Sequence, residues 1–362
     1  MRGKTAVVYS DGFFGTPDGK TANGLVRHSE KYEILAVIDS TKAGADSGAH
    51  LDDLPNGIPI CSDLADAIIH AGRVPDYFIL GVAPLSGLLS PHQRGVVLDA
   101  MRRGMSIVNG LHEFLNDDLE FTAAAAAHGV RILDVRRPRA KKNLRMFTGA
   151  IDKVTCPRVA VLGTDGAIGK RTTATILTRA LGERGIKAVL VGTGQTGLIQ
   201  GARYGVALDA IPCQFCSGEM EAVVVEAFEA EHPDVIVVEG QGALSHPAYL
   251  SSTFILRGAR PDAVILQHAP ARRMLGDFPE LPTPTPASEI ALLRAFAGTP
   301  VIGLAINHED MTDAEVSAAI ILYELELGIP ATDALTRPTG RLVEMVLHAF
   351  PALEAKLATG AA

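Results

Sequence analysis

The residues best suited to chemistry lie in one run, Arg158 to Thr173, which reads R-V-A-V-L-G-T-D-G-A-I-G-K-R-T-T. Gly163, Gly166 and Gly169 let the backbone turn so that successive N–H groups face one point, and such a concavity binds an anion. Lys170 would reach the terminal phosphates of a ligand held there, and Thr164, Asp165, Arg171, Thr172 and Thr173 belong to the same turn. From Thr173 onward apolar residues fall at helical spacing, so a helix N-terminus adds its partial positive charge to that point. The pattern departs from the usual phosphate loop G-x-x-x-x-G-K-[ST]. Its first glycine precedes Gly169 by six positions, and Arg171 stands where a hydroxyl residue is expected, which leaves Thr172 or Thr173 to supply that group.

A second group of residues follows the apolar run D-V-I-V-V, Asp234 to Val238, which ends in Glu239-Gly240-Gln241-Gly242. A strand ending in an acid is the arrangement that brings a carboxylate next to bound phosphates. Glu239, Asp209 and His246 are the candidates for a general base, with backbone N–H groups of Gly194 to Gly197 or Gly240 to Gly242 as oxyanion donors. Substrate-facing candidates are Lys20 and Thr21 in the first glycine-dense loop, Arg136 and Arg137, Gln195 and Thr196, Gln241 and Arg273. The arginines enter because a guanidinium fork pairs with a carboxylate through two parallel hydrogen bonds. No metal site is expected: Cys213 and Cys216 form a lone C-x-x-C, and zinc takes about four ligands. Asp39 falls where a ribose-binding acid would stand, but Gly12, Gly15 and Gly19 have the wrong intervals for a dinucleotide fingerprint, so a substrate-facing loop is the better reading.

The elements that must hold these residues alternate strand and helix throughout. In the first half, strands are predicted at Lys4 to Tyr9, Tyr32 to Asp39, Ile58 to Cys61, Asp76 to Val82, Ser106 to Val108 and Arg131 to Val135. Helices fall between them, among them Ser62 to Ala71, Pro91 to Arg103 and His112 to His128. After the phosphate loop come strands Lys187 to Val191, Asp234 to Val238, Ala263 to Gln267 and Val301 to Ile306. Helices are predicted at Ser288 to Ala297, Asp313 to Leu327 and Gly340 to Leu357. Pro279 to Pro286, P-E-L-P-T-P-T-P, reads as a stiff surface loop. The expectation is an α/β chain of two doubly wound parallel sheets: a Rossmann-like domain over 1–140, a linker over 141–157 and a phosphate-loop domain over 158–362.

Composition fits that size. The chain has 362 residues, 47% hydrophobic, and a net charge of −8, which argues against a nucleic-acid footprint. No apolar run is long enough to span a membrane, and the four cysteines suit a reducing compartment, so a cytoplasmic protein with no membrane partner is expected.

The phosphate loop resembles the G-T-D-x-x-V-G-K-T variant of dethiobiotin synthetase, and V-V-E-G-Q-G resembles that enzyme's V-E-G-A-G-G. The set G-T-D-G-A-I-G-K-R-T-T, T-G-Q-T-G, V-E-G-Q-G-A-L-S-H-P-A-Y, N-G-L-H-E-F-L and D-V-R-R-P is similar, as a set and over nearly the whole chain, to the DgcN-like family, formerly a family of domains of unknown function. That resemblance implies a Rossmann-like and a phosphate-loop domain, acetyl-CoA as donor, and D-glutamate N-acetyltransferase activity on a small amino acid in a homo-oligomer. The family usually carries Asp-Phe where this chain has Gln214-Phe215, which leaves a related amino acid open as acceptor. Two alternatives remain. One is an ATP- and Mg²⁺-dependent ligase or kinase of the dethiobiotin synthetase type, with Asp165 and Glu239 on the metal; the other is a nucleotide-binding regulatory protein.

Overall fold

The computed structural model describes residues 4–84 and 86–359, the last three of these by backbone alone. They form two compact units, one of the described residues up to 138 together with 195–201 and one of residues 139–194 together with the described residues from 202 on.

The first unit contains β1 (Lys4–Tyr9), α1 (Lys20–Arg27), β2 (Tyr32–Ile38), α2 (Ser47–Asp52), β3 (Ile60–Cys61), α3 (Leu64–Ala71), β4 (Tyr77–Leu80), α4 (Pro91–Arg102), β5 (Ser106–Asn109), α5 (Leu119–His128) and β6 (Ile132–Asp134). The strands pair in parallel in the order β3-β2-β1-β4-β5-β6. Sequence order reverses between β1 and β4, the place in an open α/β sheet where loops leaving the carboxyl ends of neighbouring strands diverge. Both sheet faces are covered, which is why β1 is continuously apolar rather than alternating. Ala6 and Val8 pack into one core layer, Val7 and Tyr9 into the other.

The second unit begins with β7 (Arg158–Gly163), α6 (Lys170–Glu183) and β8 (Ala188–Gly192). The chain then contributes a short helix, α7 (Gln195–Gln200), to the first unit, where Gln200 Nε2 donates to the carbonyls of Gly24 (2.6 Å) and His28 (2.8 Å) and Ile199 joins the core. It returns through β9 (Tyr204–Gly205), α8 (Cys213–Glu231), β10 (Val235–Glu239), α9 (Ser251–Gly258) and β11 (Ala263–His268). A hairpin of β12 (Met274–Leu275) and β13 (Phe278–Pro282) follows, then α10 (Pro286–Ala297), β14 (Val301–Ile306), α11 (Asp313–Leu327), β15 (Ala331–Asp333), α12 (Gly340–Ala349) and α13 (Pro351–Thr359). The sheet order is β15-β14-β11-β7-β10-β8-β9, parallel throughout. The phosphate-loop strand β7 is therefore central, flanked by β10 and β11. Its residues alternate between two core layers, Val159 and Val161 to one side, Ala160 and Leu162 to the other.

Several elements differ from the sequence reading. Helix α6 starts at Lys170 rather than Thr173, because Gly169 takes φ 95° and closes the turn three residues earlier. Helix α5 starts at Leu119, capped by the Asp118 carboxylate, and the preceding 115–117 segment is a single 3₁₀ turn. Part of the proline-rich loop is a strand: Met274 pairs with Pro282 and Leu275 with Phe278 at an edge where a missing N–H is tolerated. The C-terminal helix is interrupted at Phe350, where Pro351 starts a new one. Residues 141–157, read as a linker, are fastened to α8 instead. Glu219 accepts from Arg145 N (2.7 Å) and the Arg145 guanidinium (2.7 Å), and Glu221 accepts from Thr148 N (2.7 Å) and Ile151 N (3.2 Å).

Candidate functional site

Why Gly163 is glycine follows from its surroundings: a Cβ there would lie 2.9 Å from both Gln267 O and Lys170 Cδ. The loop turns on positive φ at Ala167 (49°) and Gly169 (95°), not at Gly163 or Gly166 as the glycine spacing suggested. Lys170 is buried, and its ammonium folds back to donate to Asp165 O. The hydroxyl of Thr173 donates to Gln267 Oε1 (2.6 Å) on β11, so it fastens the helix to the sheet rather than facing a metal. Thr172 and Arg171 are half-buried on the first turn of α6. Thr164 Oγ1 bonds His268 Nδ1 (2.9 Å).

Both oxygens of Asp165 are engaged. One oxygen accepts from Arg272 Nη1 (2.9 Å) and Gly276 N (2.9 Å), the other from Gly166 N (2.6 Å). Arg272 in turn spans to Glu309 with two bonds of 2.6 and 2.8 Å. These bonds close the loop against the segments after β11 and β14, whereas the alternative ligase or kinase reading would have Asp165 on Mg²⁺.

On the other flank, Glu239 ends β10 buried, accepting from Thr193 N (3.0 Å), while Thr193 Oγ1 donates to Glu239 O (3.0 Å). Burial pushes the Glu239 carboxyl above the usual carboxylate range, opposed by Arg171, the N–H groups of Thr193 and Gly194, and Lys170. Gly240 must be glycine because a Cβ would overlap Val161 O. Gln241 donates to Thr193 Oγ1 (3.0 Å). Asp209 lies exposed on the 208–210 turn, where Leu208 N donates to Thr193 O (3.2 Å). His246 is buried, its ring stacked on Tyr249 (4.3 Å between centroids, 13°) and edge-on to Phe278. Lys170, Arg171, Glu239, Gln241 and His246 thus gather around one loop, whereas Arg273 is exposed on the hairpin.

The comparisons with known proteins agree with this architecture. A family model described as the P-loop domain of DUF1611, a domain of unknown function, matches residues 145–343, and the Rossmann-like N-terminal domain of the same family matches residues 40–138. The chain belongs to the DUF1611 family. It is 33% identical over 273 residues to a protein of Tritonibacter scottomollicae named D-glutamate N-acetyltransferase, covering 74% of this chain and 79% of the relative. A Pseudoalteromonas protein of the same name is 32% identical over 265 residues, covering 71% and 77%. The crystal structure of a DUF1611 family protein from Anabaena variabilis matches with a TM-score of 0.87 at 30% identity, over 95% of this chain and 99% of that one.

The first unit of this DUF1611 protein collects most of the remaining site candidates. Thr21 Oγ1 bonds Thr196 Oγ1 (2.8 Å), and Gln195 packs against Gly110, where an added Cβ would sit 3.2 Å from Gln195 Cγ. Arg136 is buried with its Nε donating to Gly110 O (2.6 Å), and burial pulls its guanidinium down to about 10. Burial lowers the His112 imidazole first, and Arg136 and Lys20 lower it further, so three basic side chains converge here. His112 was not singled out from sequence; nothing in N-G-L-H-E-F-L distinguishes it until the fold brings Lys20 and Arg136 beside it. Arg137 is a correction: it pairs with Asp117 (2.7 Å) and Asp134 (3.6 Å) and covers the Phe114 ring. Asp39 is committed as well, accepting from Phe14 N (3.0 Å), Thr41 N (3.0 Å) and Thr41 Oγ1 (2.6 Å) in a buried turn. Cys216 Sγ donates to Ile211 O (3.3 Å) as a core residue. Among the described residues the one trio with metal-ligand proximity is Cys61, Asp66 and His70. There Asp66 already accepts from Ser62 N (2.9 Å). Among the same residues, no helix is long and apolar enough to cross a membrane.

His268 yields a stability prediction. It bonds Thr164 through Nδ1 and Tyr323 OH through Nε2 (3.1 Å), and burial pushes it down from its ordinary value of 6.5 to about 4. The unfolded chain therefore takes up a proton that the folded chain refuses. Stability is complete above the unfolded pKa and is lost as pH falls toward 4, by about 2 to 3 kcal/mol. Urea unfolding at pH 7 and pH 4.5 should show that loss in the wild type and a smaller one in His268→Gln. Equal losses in both proteins would remove His268 as the cause.

Proposed function

We propose that this DUF1611 protein is an N-acetyltransferase that moves the acetyl group of acetyl-CoA to the amino group of D-glutamate or a related amino acid. The names of the two relatives support the reaction class. Within the chain one observation carries it: Glu239, a buried carboxylate held above its ordinary pKa, ends the strand beside the phosphate loop within charge range of Lys170 and Arg171. A carboxylate raised in this way is a stronger base than a free one, as a general base requires.

The thioester supplies the acyl group. Lys170 and the loop backbone would hold the phosphates of the CoA moiety, and Arg171 adds a fixed positive charge where P-loop enzymes place a metal-binding hydroxyl. Glu239 takes one proton from the acceptor ammonium and passes it to solvent, the freed amine forms the C–N bond at the thioester carbonyl as the C–S bond breaks, and the second proton shed by the new amide nitrogen goes to the departing thiolate, so one proton is released per turnover. The Mg²⁺–ATP alternative fits these residues poorly. Asp165 is occupied by Arg272 and Gly276, the Thr173 hydroxyl by Gln267, and position 171 offers a cation.

Thermal shift with acetyl-CoA, CoA and Mg²⁺–ATP in parallel tests the reading: the first two should stabilise the protein and the third should not. Lys170→Ala should weaken acetyl-CoA binding about tenfold or more, since a hydrogen bond to a charged group contributes about 1.5–3 kcal/mol. Unchanged affinity would take the loop out of ligand binding.

A further inference from the structure

The sequence offers His246 as a base, and its hydrogen bonds point elsewhere. Nδ1 accepts from two backbone N–H groups, Ala248 N (3.2 Å) and Tyr249 N (3.2 Å). Both donors aim at the same nitrogen, so its lone pair is engaged and the ring proton resides on Nε2. Nε2 is buried and has no hydrogen-bond partner. A buried donor left unmade is costly and calls for an explanation. Asp165 Oδ1 of the phosphate loop lies 3.9 Å from Nε2, beyond hydrogen-bond distance.

The ring cannot easily turn elsewhere. Tyr249 covers one face, Phe278 abuts it edge-on, and the preceding turn is pinned by Glu289, a buried carboxylate of α10 that accepts from Leu244 N (2.9 Å) and Ser245 N (3.3 Å). The charged groups that face the imidazole are Asp165, Asp277 and Lys170, and burial outweighs both acids to keep it neutral. A neutral imidazole with its proton on Nε2 can donate and cannot accept at that atom. To serve as a base it would have to take a proton at Nδ1, against two N–H groups.

We propose that His246 is a positioning and specificity residue of the phosphate loop, donating Nε2–H to an anionic oxygen of a diphosphate seated beside Lys170. Asp165 does not repel such a ligand at full strength, because Arg272 and Gly276 already neutralise and bond its other oxygen. Arginine clamps and lysines recognise anions as full charges; a neutral donor adds direction without adding charge, which favours an oxygen at one place over an anion anywhere in the hollow. This inference rests on the proposed reading of the loop as the phosphate site.

The two amide isosteres separate the roles. His246→Asn keeps an acceptor near Nδ1 and loses the distal donor; His246→Gln places an amide N–H near Nε2. Calorimetric titration with CoA and with inorganic diphosphate, on wild type, both variants and Lys170→Ala, should show His246→Asn weakened about tenfold or more and His246→Gln recovering most of the loss. In the wild type, ¹⁵N-resolved imidazole NMR should show the Nε2–H tautomer, with that proton moving downfield when diphosphate is added. If Lys170→Ala weakens binding while His246→Asn binds both probes as tightly as wild type, or if the Nε2–H signal does not move on saturation, the inference is overturned and the loop reading stands. If the wild type binds neither probe, both fall.

Discussion

Glu239→Gln is expected to lower turnover with acetyl-CoA by about 10² to 10⁴ while leaving the fold intact. Glutamine keeps the length of the side chain and an oxygen to accept from Thr193 N, the 3.0 Å bond that fixes the end of β10. What it loses is the capacity to take a proton. Affinity for acetyl-CoA should hold or tighten, because the carboxylate repels phosphate rather than binding it. The pH dependence follows from the direction of the shift: with its pKa above the usual carboxylate range, Glu239 is protonated and inactive at low pH, and activity climbs as it ionises. Excess EDTA should leave the wild-type rate unchanged. Full activity in the variant would clear Glu239 and move attention to Asp209, on the turn that bonds Thr193.

Arg272→Met should cost about 3–5 kcal/mol of stability, the largest loss expected from one substitution near the loop. The guanidinium is nearly buried and holds two acids from different segments, Asp165 with one bond of 2.9 Å and Glu309 with two. Methionine fills similar volume and leaves Asp165 a buried charge with only backbone donors. Because the same guanidinium bonds Gly166 O (2.9 Å), ligand affinity should fall along with stability. Urea unfolding measures the first and calorimetry the second. A loss below about 1 kcal/mol would mean that the cluster behaves as a solvent-screened surface pair. Arg272→Lys, which keeps the charge but cannot fork between both acids, should fall between the two.

What the sequence carried is what local physics writes locally. β7 and β10 are apolar runs bounded by glycine or an acid, and both stand where the pattern places them. Helix α8, the longest in the chain, escaped notice because its buried side includes Glu219, Glu221 and Gly218 along with Met220 and Val224, so its polarity hardly alternates at helical period. Those two acids are buried for a tertiary reason, the 145–151 segment they hold. β9 and β15 are two and three residues long, too short for any period. In the site, Lys170 and Glu239 were readable as a motif. The partners that decide what Asp165, Thr173 and Arg137 do were not: Arg272 is 107 positions from Asp165, Gln267 is 94 from Thr173, and Arg137 turns to Asp117 across the sheet edge. Likewise, Glu289 sets the turn that carries His246 from 44 positions beyond Ser245.

The most direct measurement of the proposed chemistry is mass-spectrometric detection of product from purified protein, acetyl-CoA and D-glutamate, in EDTA and without ATP, alongside thiol release. N-acetylated amino acid and free CoA thiol are expected in equal amounts, with Glu239→Gln reduced by about 10² or more. The proposed acetyl transfer is contradicted if no amino acid in a panel of D- and L-isomers is acetylated, or if product forms only when ATP and Mg²⁺ are supplied.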